Sequence, residues 1–363
     1  MKPSFMALAS TSPAGSREIP LFLRFSEMLF FSAIAMHADL YIPASIMEDR
    51  VFKASAHPTM GIVLLGGLKN SDSRFPFHDS AGIAYSLKDK ESASRTELII
   101  SDSQKESFIN GQKVEPTGSR SPFKALDPYR NEIIKKNGLP YISVNSWNEN
   151  ILSGSSDSGA AALMKCLVQA LPDIDVKNLE IEMRKVSESV GRSYYGGLTV
   201  TENHEKPVTS RILDESEFSD YSIISAVFPH TRKPSDDIHF NQPESPEYVM
   251  RVKRANQRVE RLRTLAENHD IEGIFELAME DTDDYHNLND KVGVHILTEH
   301  MRSLLNEIRI WRSDVWMTYI VTGGNSVFIP CHKKDAGEIM KSVAFFTGTM
   351  HELKVAGKAS SGT

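Results

Sequence analysis

The stretch Ile151–Leu163, ILSGSSDSGAAAL, is a run of small polar residues that passes into an alanine-rich segment. Alanine and leucine favour helix, so the stretch predicts a helix that follows a serine-glycine loop. Two interpretations stay open on these residues alone. Serine and aspartate could cap the helix by accepting hydrogen bonds from its free N–H groups. The same N–H groups could instead bind a phosphate, which small residues would let approach closely.

The composition is that of an ordinary globular protein. The chain has 363 residues and a formal net charge of −7. This length suggests two domains, and the acidic balance argues against a nucleic-acid partner, since such partners are bound largely by neutralising phosphates. The two cysteines, Cys166 and Cys331, are too far apart to suggest a disulfide framework or a metal site, and no apolar run is long enough to span a membrane. We therefore expect a cytoplasmic protein without a membrane partner.

Strand-like and helix-like segments mix along the chain without regular βαβ alternation, which predicts an α+β fold in two layers. Predicted strands are 61–65, 96–102, 140–147, 196–200 and 221–228, with a strand pair across 318–330. Asn110 and Gly111 predict a tight hairpin turn. Helical spacing predicts helices over about 160–171, 176–190 and 246–268, with Gly191 as the C-cap of the second.

Several common catalytic motifs do not occur in the sequence. It contains no GxxxxGK[ST], no GxSxG, no HExxH and no GxGxxG after a predicted strand. A P-loop enzyme is therefore excluded, and the other motifs give no support to a serine hydrolase, a zinc protease or a dinucleotide-binding enzyme.

Four stretches nevertheless occur in an order that resembles one family. They are PTMGIVLLGGLKN (58–70), ILSGSSDSGAAAL (151–163), VSESVGRSYYGGLTV (186–200) and YIVTGGNSVFI (319–329). Together they resemble the diphosphomevalonate decarboxylase branch of the GHMP kinase superfamily, and two of them have the form typical of its archaeal mevalonate 3-kinases. The resemblance runs from about Lys53 to Val355.

The resemblance implies a GHMP-kinase fold with its site between two domains. A domain like domain 2 of ribosomal protein S5 would span residues 51–218, and a ferredoxin-like domain would span 219–355. Residues 1–50 would be an extension of unknown role, and 356–363 a tail. A homodimer is expected.

For the nucleotide, the resemblance implies that the serine loop holds the phosphates of ATP. Ser155-Ser156 and Ser158-Gly159 match the family pattern, whereas Asp157 replaces an alanine. The candidate nucleotide contacts are Ser153, Gly154, Ser155, Ser156, Asp157, Arg232, Ser235, His78 and Ser80. Arg232 and Ser235 lie in HTRKPSDDIH, which could equally be an exposed loop. Mg²⁺ is expected with the phosphates, with Ser156 and Asp157 as candidate ligands.

For the second substrate, the resemblance implies three decisive positions. Arg192 would hold a carboxylate, which suits the planar fork of a guanidinium. Glu188 would accept a hydrogen bond from a free 5-hydroxyl and repel a 5-phosphate. Leu64 and Thr322 stand where the decarboxylases have a lysine and a catalytic aspartate. Leu65, Gly66 and Ser153 complete the candidate substrate contacts.

Loss of the lysine and the aspartate favours a kinase over a decarboxylase. Phosphoryl transfer depends mostly on positioning and electrostatics, so it can proceed without a strong base. The resemblance therefore implies ATP-dependent phosphorylation of the 3-hydroxyl of (R)-mevalonate, with Glu188, Arg192 and Thr322 as the catalytic group. Two alternatives remain open: a decarboxylase of a phosphorylated mevalonate, and an inactive nucleotide-binding homologue.

Overall fold

The computed structural model describes residues 48–118, 120–229 and 234–362. Most of the predicted extension and Arg232 therefore lie outside the described residues. Within the described part, no helix combines the length and the apolar character that crossing a membrane requires.

The described strands form two sheets. They are β1 (Arg50–Ala56), β2 (Thr59–Val63), β3 (Ser80–Leu87), β4 (Ala93–Ser101), β5 (Phe108–Ile109), β6 (Gln112–Lys113), β7 (Tyr141–Glu149), β8 (Leu198–Glu202), β9 (Val208–Leu213), β10 (Tyr221–Val227), β11 (Ile320–Val321), β12 (Ser326–His332), β13 (Thr349–Val355) and β14 (Ser360–Ser361). The first sheet has the order β14-β1-β4-β7-β5-β6, and the second the order β11-β12-β10-β13-β3-β8-β9, with β2 paired to β3.

Helices cover the sheets. They are α1 (Phe123–Leu126), α2 (Arg130–Asn137), α3 (Ser155–Ala170), α4 (Val176–Met183), α5 (Val190–Tyr195), α6 (Ser235–Asn241), α7 (Tyr248–Glu267), α8 (Ile271–Lys291), α9 (Glu299–Trp311) and α10 (Ala336–Val343). The apolar face of α3 packs in one core with residues of β1, β4 and β7. A second core joins β2, β3 and β8 to α7 and α8.

The predicted strands and the hairpin are present. The turn between β5 and β6 places Asn110 at φ 50° and Gly111 at φ 76°. Two consecutive residues in the left-handed region are what a tight hairpin turn requires, and asparagine and glycine tolerate it best. The long helix predicted over 246–268 is α7.

One helix boundary was predicted wrongly. The predicted helix 176–190 ends at Met183, and the chain turns before α5 begins at Val190. Gly191 is therefore inside α5 and is not a C-cap. In the segment between the two helices, Ser187 Oγ donates to Asp157 Oδ1 at 2.5 Å, which ties this segment to the first turn of α3.

The two predicted halves of the chain share a sheet. β13 pairs with β3, with Leu353 opposite Leu87. Residues 356–363 were expected to be a tail, but Ser360 and Ser361 pair with β1 in the first sheet. The segment after β13 therefore returns to β1, the first described strand.

Candidate active site

A cleft opens where the end of β2, the first turn of α3, the segment 187–192, α6, α8 and the turn after β11 meet. Its walls are formed by Thr59, Gly61, Leu64, Leu65, Ser153, Gly154, Ser156, Asp157, Glu188, Ser189, Arg192, Ser235, Ile238, His239, Tyr285, Thr322 and Gly323. The predicted site residues among them are Leu64, Leu65, Ser153, Gly154, Ser156, Asp157, Glu188, Arg192, Ser235 and Thr322. The fold thus gathers into one cleft residues that the sequence spreads over most of its length.

The first turn of α3 faces this cleft with unpaired backbone donors. The helix follows Gly154, whose φ of 78° is left-handed and whose position forms the N-cap without a side-chain hydrogen bond. Capping by serine or aspartate is therefore not realised. A Cβ at Gly154 would lie 2.7 Å from the backbone N of Thr59, so a larger residue would push β2 away. Because the first N–H groups of a helix lack intrahelical partners, this turn is suited to bind an anion.

Asp157 lies in that turn and links the two walls of the cleft. Its Oδ2 accepts a hydrogen bond from Thr59 Oγ1 at 2.6 Å, and its Oδ1 accepts one from Ser187. Burial and the charge of Glu188 raise the pKa of Asp157, against these two hydrogen bonds and the charge of Arg192. Across the described ranges, no three His, Cys, Asp or Glu side chains are grouped to hold a metal ion. A cation at Asp157 would therefore need ligands from the phosphates.

Arg192 is a buried cation with two guanidinium nitrogens that have no hydrogen-bond partner among the described residues. It lies in α5 with 5% of its surface exposed, and its Nε and Nη2 atoms make no hydrogen bond. Burial lowers the pKa of Arg192, opposed by the charges of Asp157 and Glu188. A buried donor is costly to leave unpaired. A guanidinium left in this state on a cleft wall is prepared for an anionic ligand.

Glu188, in contrast, has a partner on each oxygen. Its Oε2 accepts from Arg74 Nε at 2.9 Å, and its Oε1 lies 3.0 Å from His239 Nε2. Burial opposes the charge, but the hydrogen bond from His239 and the charges of His239, Arg74 and Arg120 outweigh it. They hold the pKa of Glu188 well below its usual range. Glu188 is therefore a fixed carboxylate.

A second carboxylate extends this arrangement towards α6. Asp236 Oδ1 accepts hydrogen bonds from Arg74 Nη2 at 2.8 Å and from Arg120 Nη2 at 2.6 Å. Arg120 also donates to Ser235 Oγ at 2.9 Å and approaches Glu188 Oε2 at 3.8 Å. The two arginines and two carboxylates balance one another in charge, so the electrostatic effect of Glu188 on a ligand is weaker than that of an isolated glutamate.

Leu64 is held at its backbone. Its N–H donates to Asp281 Oδ2 at 2.7 Å, and its carbonyl accepts from Arg251 Nη2 at 2.8 Å. Leu64 follows the last residue of β2, so these two buried side chains replace the strand partners that it lacks. Its side chain packs with Ile238 and Tyr285 on the apolar wall of the cleft. Thr322 follows β11 and reaches the same cleft.

Several predicted contacts lie elsewhere. His78 is fully buried, and its Nε2 lies 3.0 Å from the carbonyl oxygen of Gly66. Burial and the charge of Arg251 lower the pKa of His78 to about 4. Ser80 is a buried residue of β3. His78, Ser80 and Gly66 are not among the residues that line the cleft. Ser155 faces a neighbouring apolar recess, which it shares with Ser156 and Arg120.

Sequence reasoning missed Arg74, Arg120, His239 and Tyr285. Only His239 had a local signal, since it follows Ser235 by four residues and shares its helix face. Arg74 is 114 residues from Glu188 in the chain. Nothing in its own neighbourhood indicates that contact.

Two family models match this chain over most of its length. The family model described as "Mevalonate-3-kinase, C-terminal domain" matches residues 233–337. The model described as "Diphosphomevalonate decarboxylase-like N-terminal domain" matches residues 56–212. The mevalonate-3-kinase of Picrophilus torridus is 39% identical over 86% of this chain and 98% of its own length. This chain belongs to the mevalonate-3-kinase family. The mevalonate 3-kinase of Thermoplasma acidophilum is 38% identical over the same share of this chain.

Solved structures extend the comparison to the fold. The Thermoplasma acidophilum mevalonate-3-kinase with mevalonate 3-phosphate and ADP bound superposes with a TM-score of 0.82. It is 36% identical and covers 87% of this chain and 99% of its own. The mevalonate diphosphate decarboxylase of Staphylococcus aureus has a TM-score of 0.75 at 18% identity, so it shares the fold. The predicted resemblance to the GHMP superfamily and the α+β fold are thereby confirmed.

Proposed function

We propose that this member of the mevalonate-3-kinase family transfers the γ-phosphoryl group of ATP to the 3-hydroxyl of (R)-mevalonate. The products are mevalonate 3-phosphate and ADP, without loss of CO₂. The observation that carries the proposal is that Arg192 and the first turn of α3 line one cleft, and that Nε and Nη2 of Arg192 have no partner among the described residues. One group suits a carboxylate and the other a phosphate. A relative whose structure contains mevalonate 3-phosphate and ADP supports the proposal, since these are the two products of this reaction.

Mevalonate would lie between the polar and the apolar walls of the cleft. Arg192 binds its carboxylate, and Glu188 accepts a hydrogen bond from its 5-hydroxyl. Leu64 packs against the carbon skeleton, with Leu65 beside it, while Thr322 lies near the 3-hydroxyl. Leu64 and Thr322 carry no charge, and no lysine lines the cleft within the described residues. Such a lining can position the substrate for phosphoryl transfer, but at positions 64 and 322 it supplies no charged group to assist a subsequent elimination of phosphate and CO₂.

ATP would place its phosphates at the first turn of α3. Ser153, Gly154, Ser155, Ser156 and Asp157 lie at or just before this turn. The recess next to it has an apolar lining from Pro122, Val144, Ala160, Leu163 and Val186, which suits the base and sugar of the nucleotide. Arg232 and Ser235 are further candidates for the phosphates, since Ser235 lines the cleft.

Mg²⁺ would be held by Asp157 and Ser156 together with oxygen atoms of the phosphates. Mg²⁺ often binds through one or two carboxylates plus substrate phosphates, so a site with a single protein carboxylate fits it. When bound, it neutralises the charge on the phosphates. A homodimer and a cytoplasmic location complete the proposal.

The test incubates purified protein with mevalonate, ATP and Mg²⁺ and follows ADP and CO₂ together. We expect ADP without CO₂, a product phosphorylated on carbon 3 by ³¹P NMR, and no ADP when Mg²⁺ is chelated. Release of CO₂ with ADP would instead assign a decarboxylase, the activity named for a 26% identical protein of Haloferax volcanii. Nucleotide binding without turnover would assign an inactive homologue.

A further inference from the structure

Arg74 is the group on which Glu188 depends. Its guanidinium donates from Nε to Glu188 at 2.9 Å and from Nη2 to Asp236 at 2.8 Å, and its side chain is 3% exposed. We propose that Arg74 is a positioning residue, which holds Glu188 as an oriented carboxylate in the substrate cleft. The proposal rests on the proposed function in one respect, namely that Glu188 faces mevalonate.

The geometry makes this role specific. The ion pair with Arg74 and the contact with His239 engage opposite oxygens of Glu188, at 2.9 and 3.0 Å. Two contacts on two oxygens fix the plane of the carboxylate as well as its place. The remaining lone pairs then have one defined direction in which to accept a hydrogen bond from a ligand.

The backbone at Arg74 is strained, which separates it from an ordinary surface arginine. Its φ of 53° lies in the left-handed region, where an L-residue with a long side chain is rarely found. The loop is tied on both sides of it, by Asn70 Oδ1 accepting from Ser73 N at 2.7 Å and by Lys69 N donating to Phe75 O at 2.8 Å. Such strain persists where surrounding contacts require it. Here the left-handed backbone conformation places the guanidinium of Arg74 against the buried Glu188.

The charged groups around Glu188 explain why one arginine matters. Three groups support its negative charge at close range: Arg74 from its loop, His239 from α6, and Arg120 at 3.8 Å. Arg184 and Arg192 support it from further away, whereas Asp157 opposes it from α3. Asp236 shares Arg74 and Arg120 with it, and Tyr285 faces it from α8. Without Arg74, only His239 and Arg120 oppose the effect of burial at close range, so the pKa of Glu188 rises. Once protonated, the carboxyl group can no longer accept equally on both oxygens.

The experiment compares Arg74→Met, Arg74→Lys and Arg74→Gly, each in the wild-type and in the Glu188→Gln background. Calorimetry measures the dissociation constant for mevalonate between about pH 5.5 and 8, where the carboxylate of free mevalonate stays ionised. Arg254→Met is the control for loss of one ion-paired arginine, since Arg254 contacts Asp284 and neither residue lines the cleft. Thermal unfolding at each pH shows whether each variant is folded.

We expect Arg74→Met to bind mevalonate at least about tenfold more weakly than wild type, with binding that weakens further as pH falls. Wild type and Arg254→Met should show little change with pH, and Arg74→Lys should recover part of the loss. Arg74→Gly relieves the strained backbone but should bind as weakly as Arg74→Met. The Glu188→Gln background has no carboxyl group at position 188. The Arg74 substitutions should therefore cause little further loss of mevalonate affinity in it.

Two outcomes would overturn the proposal. One is that Arg74→Met binds mevalonate with the affinity of wild type and with the same dependence on pH. The other is wild-type binding by Arg74→Gly, which would reduce Arg74 to a backbone role. If Arg74→Met does not fold, the comparison of Arg74→Lys with Arg74→Gly decides in the same way. Failure of wild type to bind mevalonate at all would contradict the proposed function instead.

Discussion

At the scale of single residues, Arg192 on the cleft wall and Arg74, which contacts Glu188, carry guanidinium groups of two kinds. Arg74 donates to Glu188 and Asp236, whereas Nε and Nη2 of Arg192 have no hydrogen-bond partner among the described residues. Both are almost fully buried, so the difference does not come from exposure. An arginine with carboxylate partners holds the site in shape, and one without them is left to bind a ligand.

Arg192→Ala should therefore reduce kcat/KM for mevalonate by about a hundredfold or more, because the substrate carboxylate loses its partner in a buried cleft. Arg192→Lys keeps the charge but not the two-pronged geometry, so its activity should lie between those of wild type and Arg192→Ala. Steady-state kinetics checks both, and turnover of the alanine variant at the wild-type rate would remove the role assigned to Arg192.

Glu188→Gly should allow 5-phosphomevalonate to serve as a substrate. The substitution removes a carboxylate and leaves Arg74 and Arg120, two cations that lay beside it, without that partner. A phosphate could then take the place of the carboxylate, and we expect at least about a tenfold rise in kcat/KM for 5-phosphomevalonate.

Glu188→Gln is the matched control, because it removes the charge and keeps the side chain in place. If repulsion alone excludes the phosphate, both variants should gain the activity. If space is required as well, only Glu188→Gly should gain it. A Glu188→Gly enzyme that still ignores 5-phosphomevalonate would show that specificity is set elsewhere.

At the scale of elements, the beginning of α3 is the feature on which phosphate binding depends. Gly154 combines a left-handed backbone with a close approach to Thr59, and either one disfavours a side chain. Gly154→Ala should lower the free energy of unfolding by about 1 kcal/mol or more and weaken ATP binding, because the first turn must shift.

Gly293 supplies the control for this prediction. It has a similar φ of 76°, but a Cβ there would meet nothing within 4 Å. Gly293→Ala should therefore lose stability through the backbone alone and keep its affinity for ATP. Urea unfolding and nucleotide titration separate the two effects, and equal ATP affinity in both variants would contradict the assignment of α3.

At the scale of the whole molecule, two buried histidines make the fold sensitive to acid. Burial lowers the pKa of His286 to about 4, and burial and the charge of Arg251 do the same for His78. Between pH 6.5 and 4 these histidines therefore bind protons in the unfolded chain but not in the native chain. Each histidine should then reduce the free energy of unfolding by about 3 kcal/mol as pH falls through this range.

His286→Gln should flatten this dependence, since glutamine can still donate to the Val321 carbonyl that His286 Nε2 contacts at 2.9 Å but does not titrate. The exposed His300 is a suitable control, and His300→Gln should leave the curve unchanged. Urea unfolding at several pH values measures the slopes, and parallel curves for wild type and His286→Gln would argue against the assignment.

The sequence by itself determined a large part of this protein. The order of four local stretches predicted the family and the fold, and local spacing predicted α3, α7 and the hairpin at Asn110. Arg192 and Thr322 could be identified as candidate site residues, because each lies within a short stretch whose pattern is local; both line the cleft. Information of this kind survives in a sequence, since neighbouring residues in the chain remain neighbours in the fold.

Only the tertiary structure decided which side chains complete the site. Arg74 reaches Glu188 across 114 residues, and Asp281 binds the backbone of Leu64 across 217. Asp157 in α3 likewise accepts a hydrogen bond from the hydroxyl of Ser187 across 30 residues. The physical reason is the same in each case. A buried charge or a free backbone group takes whichever partner the packing of the two sheets and their helices brings within hydrogen-bond distance, and no local pattern records that choice.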